Sequence, residues 1–216
     1  MTTKTQAAVS QIDIVYEDAH MVAVNKPPWV LSVPGRTPEK QDSMFTRVQQ
    51  QCGDVFVVHR LDCATSGIMV FAKSKATEKA LHQRFRDRQT SKEYIAVCAG
   101  TAPLRSGKVI LPLIVDWPNR PKSKVDLQQG KYSVTEYQVL EEQPATTRLR
   151  LVPITGRSHQ LRLHMKYLGM PILGDKLYAP EDVIAASERM LLHAQKLQLQ
   201  HPVDGATMEF FVPCPF

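Results

Sequence analysis

The feature that most constrains this chain is a succession of short apolar runs rich in β-branched and aromatic residues, separated by turn formers. The clearest pair lies at 55–58 (Val-Phe-Val-Val) and 68–72 (Ile-Met-Val-Phe-Ala), bracketing a break that holds His59, Arg60, Leu61, Asp62, Thr65, Ser66 and Gly67. Such a pattern predicts strand, loop, strand. Similar runs predict strands at 12–16, 21–24, 94–97, 109–115, 133–140, 146–152 and 208–212. Helical spacing is confined to three stretches. Ser43 can cap a helix to about 51 and Ser74 one to about 88, and Leu161, Met165 and Leu168 mark a third within 158–168. Residues 170–173 and 190–199 carry mixed signals.

Residues 25–38 contain four prolines and Gly35, and so predict an ordered loop. A second loop, 116–124, is basic and punctuated by proline. Strands outnumber helices and many are close enough to pair as hairpins. The expectation is an α+β domain on a mixed, mostly antiparallel sheet, spanning 11–216, with 1–10 a frayed N-terminus.

Composition bounds the function. A chain of 216 residues can bury one sizeable core. The formal charge of +6 and pI near 9.2 suit a polyanionic partner without requiring one. No apolar stretch approaches the ~20 residues that span a bilayer. No signal-peptide pattern opens the chain, which points to the cytoplasm. The four cysteines form no Cys-x-x-Cys pair and the seven histidines show no zinc spacing, so the expectation is reduced cysteines and no metal. Neither a dinucleotide nor a P-loop glycine pattern is present.

Three segments could carry chemistry. In the first, Asp62 precedes Thr-Ser-Gly, where an aspartate can simply form a turn. In the second, Gly156, Arg157, Ser158, His159, Gln160 and Arg162 crowd the entrance of a predicted helix. Arginines are poorly placed at a helix N-terminus unless an anion lies nearby. The third is Lys92-Glu93-Tyr94-Ile95-Ala96, which reads otherwise as a strand with one aromatic. The helix over 75–88 has a basic face of Lys75, Lys79, Arg84, Arg86 and Arg88, fit either for water or for phosphates.

Taken together these segments resemble the pseudouridine synthases of the RluA family. The resemblance rests on His59-Arg60-Leu61-Asp62 with Thr65-Ser66-Gly67; on Lys92, Tyr94, Ala96 and Gly100; on 153–165; and on 169–175 and 191–194. It runs from about 12 to 212. It implies the family's catalytic fold, a mixed sheet with flanking helices and loops around a central cleft, without an S4-like RNA-binding domain. It implies an isomerase that needs no cofactor and converts uridine to pseudouridine in RNA.

In that reading Asp62 is the nucleophile, Arg162 its partner, and Tyr94 stacks on the target base. Arg60 fills the gap left by the flipped uridine, and His59, Arg157, His159, Gln160, Arg120 and Lys122 contact RNA. The 116–124 loop further resembles members that modify both a hairpin of 23S ribosomal RNA and the anticodon stem-loop of certain tRNAs, and a monomer is the expected state of this chain. One departure is Trp29, where the family usually has glycine. A non-catalytic RNA-binding module would not need Asp62, Tyr94 and Arg162 together, and a glycosidase would want a second carboxylate beside the first.

Overall fold

The computed structural model describes residues 12–216. The expectation for 1–10 lies outside the described residues. Strands β1 (Asp13–Glu17) and β2 (Met21–Lys26) form a hairpin. Helix α1 (Met44–Cys52) begins at Ser43, whose side chain accepts from the Thr46 N–H while Thr46 Oγ1 accepts from the Ser43 N–H. Strands β3 (Phe56–Val57) and β4 (Ser66–Ala72) bracket the Asp62 loop, and α2 (Lys75–Arg86) follows, capped by Ser74.

The second half holds β5 (Ser91–Ala99), β6 (Ser106–Ile110), β7 (Leu113–Val115), β8 (Ser123–Val125), β9 (Val134–Glu142), β10 (Thr146–Pro153), α3 (Gln160–Tyr167), α4 (Glu181–Ala185), β11 (Leu192–Gln200) and β12 (Thr207–Phe211).

One ten-stranded sheet runs β1-β2-β4-β11-β5-β10-β9-β6, with β3 on β4 and β12 on β11. The pairs are antiparallel except β4–β11, which is parallel. That exception joins the two halves of the sheet. It depends on Gly67: at φ 115°, a Cβ there would lie 2.2 Å from the Ala194 carbonyl oxygen of β11. Only glycine allows the strands to approach so closely.

The non-alternating apolar run of β4 follows from its place in the sheet. Every residue of β4 is buried. Ile68, Val70 and Ala72 pack with Leu81 of α2 and with Leu197 and Phe210. Met69 and Phe71 face the other way, onto Met44 and Val48 of α1. A strand covered on both faces has no reason to alternate. A third apolar cluster, around Leu149, Leu151, Met165 and Ile172, seats α3 behind β5 and β10.

Several elements differ from expectation. The run at 109–115 is two strands, β6 and β7, broken around Pro112, which lacks the N–H a ladder requires. The basic loop ends in a short strand, β8. The mixed segment 190–199 is the central strand β11, where Leu192, His193 and Ala194 are all buried, so the alternation is lost at its start. The α3 helix starts at Gln160 with His159 in the left-handed region at φ 56°, and Ser158 makes no cap.

Candidate active site

The loop between β3 and β4 is held from below by the loop 25–38. Lys26 is fully buried, and its ammonium donates to the carbonyls of Pro27 (2.9 Å), Val30 (2.7 Å) and Cys63 (3.0 Å). Burial pushes this ammonium down to about 8, opposed by the nearby Cys63 and Asp62. Ser32 Oγ donates to the Leu61 carbonyl at 2.6 Å and accepts from the Leu61 N–H at 3.0 Å. The turn is closed by the Thr65 N–H on the Asp62 carbonyl oxygen. Among the described residues no backbone N–H bonds to the Asp62 carboxylate, so the turn-forming role does not occupy it.

The Asp62 carboxylate is about a quarter exposed and lies on a cleft of about 1440 Å³. That exceeds the roughly 300–1,000 Å³ of small-molecule sites and is open enough for a polymer. Arg162 Nη1 stands 3.4 Å from Asp62 Oδ2. The Asp62 contact is the lesser one that Arg162 makes. Its Nε donates to Asp175 Oδ2 at 2.8 Å and its Nη2 to Asp175 Oδ1, a bidentate pair that is almost wholly buried. The expected Asp62–Arg162 pair is present, and Asp175 adds to it: Asp175 fixes the guanidinium, leaving one edge for Asp62. Burial lowers the Arg162 pKa, and the hydrogen bonds and charge of Asp175, then the charge of Asp62, more than reverse this.

His159 occupies the other side of Asp62, with Nε2 3.8 Å from Oδ1. Its Nδ1 lies 2.6 Å from Tyr178 Oη, which accepts from the Ser123 N–H at 2.8 Å. The hydroxyl has one proton. The Ser123 N–H fills one of the hydroxyl's two acceptor positions, which leaves both tautomers of His159 compatible with the Nδ1–Tyr178 bond. Burial is the main cause of the lowered His159 pKa and favours the neutral form.

Tyr94, on β5, lines the same cleft. Burial, then the Asp62 charge, raises its phenol pKa, so it is a neutral ring at the cleft wall. Lys92 stands two residues away along the strand, where burial lowers its pKa.

A match to a family described as RNA pseudouridylate synthase covers residues 20–167. The chain belongs to that family. It is 51% identical over 205 residues to the dual-specificity RNA pseudouridine synthase RluA of Vibrio cholerae serotype O1, covering 95% of this chain and 84% of that protein. It is 50% identical over 204 residues to the RluA of that description in Escherichia coli strain K12, covering 94% and 93%. The fold is similar to human RNA pseudouridylate synthase domain containing 1, with a TM-score of 0.81 at 26% identity over 99% of this chain and 87% of that one.

This pseudouridine synthase is therefore an isomerase acting on RNA uridine. Arg60 and Arg157 are exposed at its cleft, and Arg120 and Lys122 on the loop between β7 and β8. Two other residues expected to contact RNA are committed to protein. Gln160 is 3% exposed and its amide bonds to Thr155, Thr135, the Val134 carbonyl and the Arg157 N–H. The ring of His59 stacks on Phe85, and its Nε2 accepts from the Val70 N–H. Burial holds the His59 pKa at about 3, with Lys92 and His82 adding to the shift. Both residues hold the walls of the cleft.

The basic face of α2 is divided. Arg86 and Arg88 reach the cleft, whereas Arg84 bonds to Gln200 and Lys75 to Glu78. Sequence reasoning missed Asp175, Lys26 and Tyr178 as parts of the site. Asp175 and Tyr178 lie in a non-periodic segment after α3, and nothing local marks a lysine as buried. Among the described residues no cluster of acidic, histidine or cysteine side chains has metal-binding geometry, and no helix is long and apolar enough to cross a membrane.

Proposed function

We propose that Asp62 is the nucleophile of uridine isomerisation, in hairpin loops of large-subunit ribosomal RNA and of tRNA. The carrying observation is a carboxylate free of backbone bonds, facing a basic cleft between a fixed guanidinium and the His159 imidazole. The reaction breaks N1–C1′, turns the uracil and joins C5 to C1′. As the glycosidic bond breaks, C1′ becomes electron-poor and the uracil takes up the electron pair. A carboxylate can stabilise or trap such a centre, as it does in glycoside hydrolysis. The only new proton movement is loss from C5 and gain at N1, so the atoms balance without an external reagent.

Asp175 is not a second catalytic acid, because both its oxygens serve Arg162. Arg162 orients Asp62, its Nη1 3.4 Å from Oδ2. Tyr94 offers a neutral ring for the flipped uracil to stack on, a role its raised pKa suits better than that of a base. Arg60, exposed beside Asp62, fills the space vacated in the RNA, and flipping costs least for a loop base. Arg157, Arg120 and Lys122 hold phosphates.

The dual target set is supported by 50% and 51% identity to proteins called dual-specificity RNA pseudouridine synthases. The enzyme acts as a monomer in the cytoplasm, reading one hairpin at a time. The test is incubation of the purified protein with two short stem-loops, one from 23S ribosomal RNA and one from a tRNA anticodon arm with uridine on the 5′ side of its loop. Pseudouridine in both is the expected mass-spectrometric result. Activity on one alone, or only on an intact ribosomal subunit, would overturn the dual reading.

A further inference from the structure

The loop that supports Asp62 also carries an aromatic residue that the core does not explain. Trp29 has φ 66°, a region costly for a side chain with a Cβ. Its side chain is 46% exposed and belongs to none of the apolar clusters among the described residues. A strained backbone and an exposed indole are both unfavourable in the free protein.

The loop nevertheless holds Trp29 firmly. Its N–H donates to the Cys63 carbonyl at 2.8 Å. The buried Lys26 ammonium binds the carbonyls of Pro27 and Val30, on either side of Trp29, and that of Cys63 as well. Trp29 is thereby tied to the residue after Asp62 and lines the same cleft. The Lys176 ammonium lies 4.8 Å from the indole centroid, next in sequence to Asp175.

We propose that Trp29 is a stacking platform for a nucleobase flanking the target uridine, with Lys176 meeting the adjacent phosphate. The proposal rests on Asp62 marking where the target uridine sits. An indole with one face towards a cation and the other available suits a base that has left its own stack. The rigid turn matters because a preordered aromatic loses little entropy on binding. Stacking tolerates any base identity, so Trp29 adds affinity and sets the path of the strand. It does not read sequence.

The experiment measures stem-loop binding by the variants Trp29→Gly and Trp29→Phe, together with melting temperatures. Trp29→Gly removes the ring and relieves the positive φ. It should raise the Kd of the 23S stem-loop about tenfold, equivalent to ~1.4 kcal/mol, while the melting temperature stays level or rises. Trp29→Phe should recover most of the affinity. In Trp117→Phe, which leaves Trp29 the only tryptophan and keeps a ring beneath Arg120, the stem-loop should quench the fluorescence. Binding by Trp29→Gly within twofold of wild type, or an unmoved Trp29 signal, overturns the platform. If wild type still forms pseudouridine in that stem-loop, the active-site reading survives that failure. Failure of wild type to bind the stem-loop at all overturns both.

Discussion

Replacing Asp175 by asparagine tests the finding that this residue, and not Asp62, anchors Arg162. The change is nearly isosteric and keeps an oxygen for the Leu177 N–H, which Asp175 accepts at 3.0 Å. It removes the negative charge from a pair whose side chains are 5% and 1% exposed. Breaking a buried pair by removing one partner costs ~3–5 kcal/mol. Arg162 keeps Asp62 at 3.4 Å as a residual counter-charge, so the lower end applies, ~3 kcal/mol. For a chain of this size each kcal/mol shifts the melting temperature by ~2–4 °C, giving a fall of ~6–12 °C.

Thermal melts and urea titrations followed by circular dichroism measure this directly. Activity should fall as well, because the guanidinium loses the contact that orients its Asp62-facing edge. Adding Arg162→Met should restore part of the stability without activity, since the double variant leaves no buried guanidinium without its counter-charge. A loss below ~1 kcal/mol for Asp175→Asn, or a double variant no more stable than the single one, would refute the reasoning.

The fold should lose stability in mild acid. His59 at about 3 and the fully buried His164 at about 4 are both held down chiefly by burial, below an unfolded value of ~6.5. The unfolded chain then binds more protons, so stability falls as pH drops through the window from ~6.5 to ~3. Urea midpoints between pH 7 and 5 should report an uptake of roughly one to two protons on unfolding, and a flat profile would contradict it. Lys26→Met leaves three carbonyls without their shared donor, so chemical denaturation should show a loss of about 3 kcal/mol; wild-type stability would mean the ammonium does not clamp the loop. Arg120→Ala combined with Lys122→Ala should weaken both stem-loops together and reduce the slope of log affinity against log salt by about 1.5, and an unchanged slope would remove these residues from the RNA contact.

Much of this architecture was legible because local and tertiary signals agreed. Ser43 and Ser74 cap helices where their side chains predict caps, and the two runs around Asp62 flank a loop as their composition requires. The signal failed where pairing or covalent geometry overrode pattern. Pro112 splits an apparently continuous strand, and β11 reads as mixed because residues on both of its faces are buried at its start. The Asp62, Tyr94 and Arg162 set was visible through motifs lying far apart in the sequence. What supports it was not: an aspartate thirteen residues after Arg162 and a lysine buried under a proline-rich loop carry no periodicity. Their roles come from tertiary contacts, Asp175 with Arg162 and Lys26 with the carbonyls of Pro27, Val30 and Cys63. His59 and Gln160 carry a role that the motif does not display. Within the fold both also serve as hydrogen-bonding supports of the cleft wall.

The central claim is that the Asp62 carboxylate performs the isomerisation. The most direct measurement is single-turnover pseudouridine formation by Asp62→Asn on a stem-loop that wild type modifies, in protein shown by mass to be free of deamidation. The change removes a charge and little volume from a side chain that is a quarter exposed. Binding of the stem-loop and the melting temperature should stay close to wild type, while no pseudouridine forms. Product appearing at even a tenth of the wild-type rate would contradict the claim.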